Sequence, residues 1–90
     1  MPIIETEEDG MIKNLMKQYL AGREMSLKYA CGAMKAFGMA DELMERDGSV
    51  TPESINEEGR KRVTKFETLE ESSGFADATV FLMDNIGKWN

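Results

Sequence analysis

The acids and the glycine of DELMERDGSVTPES, residues 41–54, bring this chain closest to a named chemistry. A calcium-binding helix–loop–helix needs oxygen ligands at loop positions 1, 3 and 5, glycine at 6, an aliphatic residue at 8 and a bidentate Glu at 12. With Gly48 at position 6, Glu45 falls at 3, Asp47 at 5 and Val50 at 8, but Leu43 takes position 1 and Ser54 position 12. Starting at Asp41 restores the first ligand and brings the glycine two residues late. Either alignment leaves the cage incomplete. The simpler expectation is a turn at Asp47-Gly48, followed by Thr51 as N-cap, Pro52 at the first helical position and Glu53 in the first turn. A metal-responsive module with a degenerate calcium-type loop at 41–54 stands as the alternative.

Four of the eleven basic residues cluster at Arg60, Lys61, Arg62 and Lys65. Such a cluster can dock an acidic partner or a phosphate. Glu57 and Glu58 precede Lys61 and Arg62 by one helical turn, however, which is the order expected of a solvated, salt-bridged face. The eight methionines are spread along the chain, and Met34, Met39 and Met44 are spaced five apart, which does not align their sulfurs on one helical face. They are expected as core filler. Cys31, the one cysteine, lies among Leu27, Ala30 and Met34 and is expected as a buried, inert thiol. With no histidine, the usual proton shuttle near neutral pH is missing, and no glycine-rich phosphate loop is present. The chain is therefore expected not to be an enzyme and to use no cofactor and no metal. Trp89, the only tryptophan, continues the face of Leu82 and Ile86 and is expected to pin the C-terminus or to anchor a partner.

Those residues must be held by a small framework. Ninety residues suit one domain, and a chain of this size buries only about 60–65% of its unfolded surface. A content of 41% apolar and 31% charged residues is too hydrophobic for a disordered chain. Eleven basic against seventeen acidic residues give a net charge of -6, spread over both halves of the chain. That charge disfavours phosphate backbones and anionic lipids, so neither direct nucleic-acid binding nor membrane binding is expected. The single cysteine and the absence of a spanning apolar run or signal-peptide pattern point to the cytoplasm.

Hydrophobic spacing predicts four helical segments. The first carries Met11, Ile12, Leu15, Met16, Tyr19 and Leu20 on one side, with Thr6 as N-cap and Gly22 as its end. The second, from about Met25 to Glu45, is apolar or small almost all round, with Lys28, Lys35 and Glu42 as its only polar stripe. Such a helix belongs at the centre of a bundle. Its row Gly32, Ala36, Ala40 suits close approach of another helix from the same chain or a second one. The third is expected to present Ile55, Gly59, Val63, Phe66 and Leu69 inward and to be broken by Ser72-Ser73-Gly74. The last places Phe75, Ala78, Thr79, Leu82, Ile86 and Trp89 on one face.

The expected fold is thus all-α, residues 1–90 forming one bundle of three to four helices around a central apolar helix, with 1–6 as an N-terminal arm. The rival is an α+β fold with a short strand near 79–83. The expected function is that of a small acidic, non-enzymatic interaction or regulatory protein, for instance an inhibitor seated on a basic surface of its partner. It is expected to form at least a dimer, because one short chain cannot cover all of the second helix. Candidate partner-binding residues are Gly32, Ala36, Ala40, Arg60, Lys61, Arg62, Lys65 and Trp89. The accessory subunit of an enzyme is a further alternative.

Overall fold

The computed structural model describes residues 7–86 and contains α1 (Glu7–Leu20), α2 (Leu27–Asp47), α3 (Pro52–Val63) and α4 (Leu69–Ile86). The chain is all-α, with no strand among the described residues; the segment 79–83 lies inside α4. The arm 1–6 with its Thr6 cap, and Trp89, fall outside the described residues.

Local chemistry sets the helix ends. Ser26 caps α2 by accepting the Tyr29 backbone N–H at 3.1 Å. At the other end Gly48 adopts the left-handed conformation (φ 78°) and returns its N–H to the Met44 carbonyl, an arrangement that favours glycine. Thr51 and Ser54 form a reciprocal capping box at 3.1 and 3.0 Å, with Pro52 just inside the helix. Thr68 opens α4, its Oγ1 accepting the Glu71 N–H at 3.3 Å.

The boundary between α3 and α4 differs from the sequence expectation. Ser72-Ser73-Gly74 does not break a helix; it lies in the second turn of α4, and the chain turns instead at residues 64–68. Gly74 is needed for packing, not for a bend. A Cβ on Gly74 would land on the carbonyl oxygen of Tyr29, and one on Gly32 would land on that of Glu71 and lie 2.9 Å from the Phe75 nitrogen. The two glycines thus let α2 and α4 touch backbone to backbone, each supplying the gap for the other. Leu69, expected inside, begins α4 and is 83% exposed, while Phe66 is half-buried in the turn with its ring 5.0 Å from that of Phe75.

Gly74 meets Tyr29, Gly32 meets Phe75, and the Phe37 and Phe81 rings lie 6.3 Å apart, so α2 and α4 run parallel. Gly59 faces Thr79 while Val63 shares a groove with Phe75, so α3 runs antiparallel to them. Between the helices sit Ile12, Leu15, Tyr19, Phe37, Met39, Leu43, Ile55, Phe75, Leu82 and Ile86, all buried. Each large side chain contributes roughly 1.5–3 kcal/mol by leaving water. Tyr19, Phe37 and Phe81 form an aromatic cluster with centroids 5.1–6.3 Å apart, which holds α1 against the central pair.

The central position expected of the second helix is found: α2 packs along α4 and also meets α1 and α3. Its free side is wider than the Lys28–Lys35–Glu42 stripe, because Leu27 (82% exposed), Cys31 and Met34 (51%) also face solvent. Cys31 is therefore exposed, contrary to the sequence expectation. Its apolar neighbours in sequence lie on the same uncovered strip and do not enclose it.

Glycine substitutions should separate these roles. Gly74→Ala is expected to destabilise by about 1–3 kcal/mol, since the added methyl must push α2 and α4 apart. A methyl group at Gly38 would meet nothing within 4 Å. Gly38→Ala is accordingly expected to stabilise by roughly 0.5–1 kcal/mol. Urea denaturation checks both, and equal effects of the two would remove the close-contact account.

Candidate functional site

The calcium-like loop is shorter than its sequence suggests. Asp41, Glu45 and Asp47 are all helical residues of α2, and only residues 48–51 separate α2 from α3. Side chains on successive helical turns do not wrap around one ion as a loop does. Asp47 is held by Arg46 through two contacts at 3.0 and 3.1 Å, and this partner holds its carboxyl below the ordinary range. Ser54, at the position of the bidentate Glu, is used in the capping box.

The basic cluster does not form one patch. Arg62 bridges Glu58 at 3.1 Å and Glu42 at 2.8 Å, so it ties α3 to α2. Both carboxylates raise the guanidinium's affinity for its proton, the Glu42 bond most. Arg60 points the other way, into a groove between α3 and α4, while Lys61 and Lys65 are exposed. A second group of cations assembles only in the fold, where Lys28, Lys35 and Lys65 border one shallow cleft with Glu67 and Glu71. Lys35 is bonded there to Glu71 at 2.6 Å and lies 5.3 Å from the Phe66 ring centroid. The small-residue row is interior: Gly32, Ala36 and Ala40 are buried within the chain itself, Ala36 and Ala40 fully.

A polar chain links three helices at the bundle's edge. The Tyr29 hydroxyl donates to Asp77 Oδ2 at 2.6 Å, and its oxygen accepts the Tyr19 hydroxyl at 2.9 Å. The Arg23 guanidinium lies 4.1 Å from the Tyr19 ring centroid, a cation–π distance. Partial burial, and then the bond to Asp77, raise the Tyr29 phenol well above its ordinary value.

The surface best suited to contact another molecule is the outer side of α4. Leu69, Ser73, Ala76, Val80 and Met83 are spaced four and three residues apart and form one lengthwise seam. Leu69 is 83% and Val80 56% exposed, Ser73 is exposed, and Ala76 and Met83 are half-buried. Beside this seam runs the α3–α4 groove, of about 160 Å³, with Val63 and Thr79 in its walls and Arg60 at its rim. Gly59 keeps the groove deep, since its missing side chain lets Thr79 Cγ2 come within 3.0 Å of the Cβ position. Exposed acids surround the area: Glu53 and Glu57 on α3, and Glu70, Asp77 and Asp84 on α4.

Sequence reasoning did not find this seam, because assigning Leu69 to α3 cut it in two. The pattern Thr68-Leu69-Glu70-Glu71, a capping signature, marks the true start of α4 and would have joined the halves. No helix among the described residues is long and apolar enough to cross a membrane. The chain matches no family model, and neither a curated protein nor a solved structure shows significant similarity to it.

Two measurements test these assignments. Millimolar calcium is expected to leave the melting temperature unchanged, whereas a site at 100 times its dissociation constant would add about 2.7 kcal/mol. A rise abolished by Asp47→Ala would restore the metal site. For Tyr29, a folded-state pKa above the unfolded value of about 10 means that the folded state holds the proton longer. The stability from this phenol is full below about pH 10 and is lost as pH rises further. Tyr29→Phe should flatten that alkaline loss relative to wild type in denaturation at about pH 9 and about pH 11. Parallel losses in the two proteins would show that the network does not carry it.

Proposed function

We propose that this protein is a small acidic, non-enzymatic interaction protein that works by docking the α3–α4 face on another protein. The uncovered apolar seam of α4 carries this proposal. Exposed apolar side chains on a small domain commonly mark a contact site, and here Val80 also lines a groove able to seat a side chain. Four carboxylates are engaged in structure: Glu42 and Glu58 hold Arg62, Glu71 holds Lys35 and Asp77 holds Tyr29.

The charge around the face favours a basic partner. Five exposed acids, Glu53, Glu57, Glu70, Asp77 and Asp84, border the groove and seam, with Arg60 at the rim. Opposite charge speeds encounter and selects among partners, while apolar contacts at the centre supply most of the holding energy. An inhibitor that covers a basic surface of its target is one specific form of this function.

Capture from the native host, followed by reconstitution with the purified partner, tests the proposal. Val80→Glu lies on an exposed position and should leave the melting temperature near wild type while weakening partner binding by roughly tenfold or more. Raised salt should slow association. A partner that binds the wild type and Val80→Glu equally would remove this face from the function.

A further inference from the structure

We infer that the occupant of the α3–α4 groove is a short, basic, linear segment of another protein, which seats one aliphatic side chain in the groove and sets lysine or arginine against the acids beside it. This rests on the docking role proposed for the face and names the chemistry of its partner. Size sets the first limit. Sites that enclose a whole small molecule run to about 300–1,000 Å³. This groove holds about 160 Å³, room for a single side chain, and Val63, Phe75, Ala76, Val80 and Met83 give it apolar walls. Met83 already packs against the core, so the apolar surface outside the groove comes down to Val80 and Leu69. That is too little for a folded partner, whose stable interfaces bury about 1,200–2,000 Å². A linear segment needs no such area, because it bends to follow the groove and is held by one buried anchor.

Charge sets the second limit. On α3, Glu53 precedes Asn56 by three residues and Glu57 precedes Arg60 by three, so both carboxylates share the groove side of that helix. On α4, Asp77 and Asp84 lie one turn to either side of Val80. All four acids are exposed. The helices run antiparallel with Gly59 against Thr79, so Glu53 and Glu57 fall level with the part of α4 that carries Asp84. Carboxylates therefore stand on both banks at one end of the groove, and Arg60 is the single cation among its lining residues. Such a site repels an acidic chain and draws in a cationic one. From Asn56 to Val63 the groove runs about 10 Å at the helical rise, which roughly three or four extended residues cross. The partner's cations thus belong within about two residues of its anchor. With one anchor and a few exposed ion pairs, the affinity is expected in the micromolar range and falls as salt is raised.

A display library of random short peptides, selected on the immobilised protein, reads this chemistry directly. Enriched sequences are expected to share one leucine, isoleucine or methionine with lysine or arginine close on either side. A fluorescent synthetic peptide of that pattern then measures each contribution by anisotropy. Val80→Ser should weaken its binding roughly tenfold. Glu57→Gln and Asp84→Asn should each weaken it roughly two- to fivefold. Arg60→Ala should tighten it, since the rim then loses its cation. All four positions are exposed, and an unchanged helical spectrum and melting temperature check that the variants fold. No enrichment, enrichment of acidic or uncharged sequences, or a selected peptide indifferent to Val80→Ser would each overturn the proposal. So would weaker binding to Arg60→Ala, or equal binding of a peptide whose anchor is replaced by alanine, which would reduce the effect to net charge. A natural partner lost on Val80→Glu, with no basic peptide selected, would leave the docking role intact and exclude only the linear segment. A natural partner indifferent to Val80→Glu, again with no peptide selected, would exclude both.

Discussion

The close backbone approach of α2 and α4, made possible by Gly32 on one helix and Gly74 on the other, is the constraint on which the remaining architecture depends. Each glycine removes the one atom that would strike the other helix's backbone, at Glu71 and Tyr29 respectively. Two helices that meet at such distance can share a core of small residues, and Ala33, Ala36, Ala40 and Ala78 fill it with no exposure. Large side chains are then pushed to the flanks, where Phe37 and Phe81 receive Tyr19 from α1 and where Phe75 receives Phe66 from the α3–α4 turn. Glycine in a helix interior costs roughly 0.5–1 kcal/mol relative to alanine, an amount that the close packing must more than offset.

Parallel contact between α2 and α4 also decides which surfaces remain open. In an evenly spaced bundle each helix turns a single apolar stripe inward. Here α2 takes the centre, and α1 and α3 lie on either side of the pair it forms with α4. Among the described residues no further helix covers the outer side of α4. The same shortage leaves Leu27, Cys31 and Met34 in solvent on the free side of α2. These residues are not on the α4 seam: Cys31 borders the charged cleft of Lys28, Lys35 and Lys65, and Met34 borders a cleft with Glu42, Arg62 and Phe66.

Charge reinforces this arrangement in a modest way. Arg62 clamps α3 to α2 through Glu42, and Glu71 joins α4 to Lys35, both near the surface, where such pairs contribute about 0–1 kcal/mol. Their consequence lies more in distribution than in stability. With Arg62 drawn toward α2 and Lys35 toward Glu71, Arg60 is the cation that lines the α3–α4 groove. Exposed acids on both α3 and α4 flank this single cation, and such a charge pattern lets a surface discriminate among partners.

Much of the fold was legible in the residues because its causes are local. The all-α class, the central place of α2, the turn at Gly48, the N-cap at Thr51 with Pro52 at the first helical position, and the buried face of Phe75, Ala78, Leu82 and Ile86 all follow from periodicity and backbone preference. The degenerate calcium pattern was legible as a turn for the same reason. What the sequence could not reveal depends on a neighbour distant in the chain. Ser72-Ser73-Gly74 looks like a breaker until Tyr29 is placed against Gly74, because a glycine used for contact and one used for bending are identical in sequence. Cys31 looks buried until one counts which sides of α2 have helices to cover them. Gly32, Ala36 and Ala40 could have met either a second chain or their own, and only the arrival of α4 consigns them to the interior. Conversely, the seam from Leu69 to Met83 became a surface only because α3 ended at Val63 and α4 began with its outer side uncovered. Sequence spacing determines which residues share a face. Which faces are covered is decided by how many helices the chain has and where the closest contact puts them.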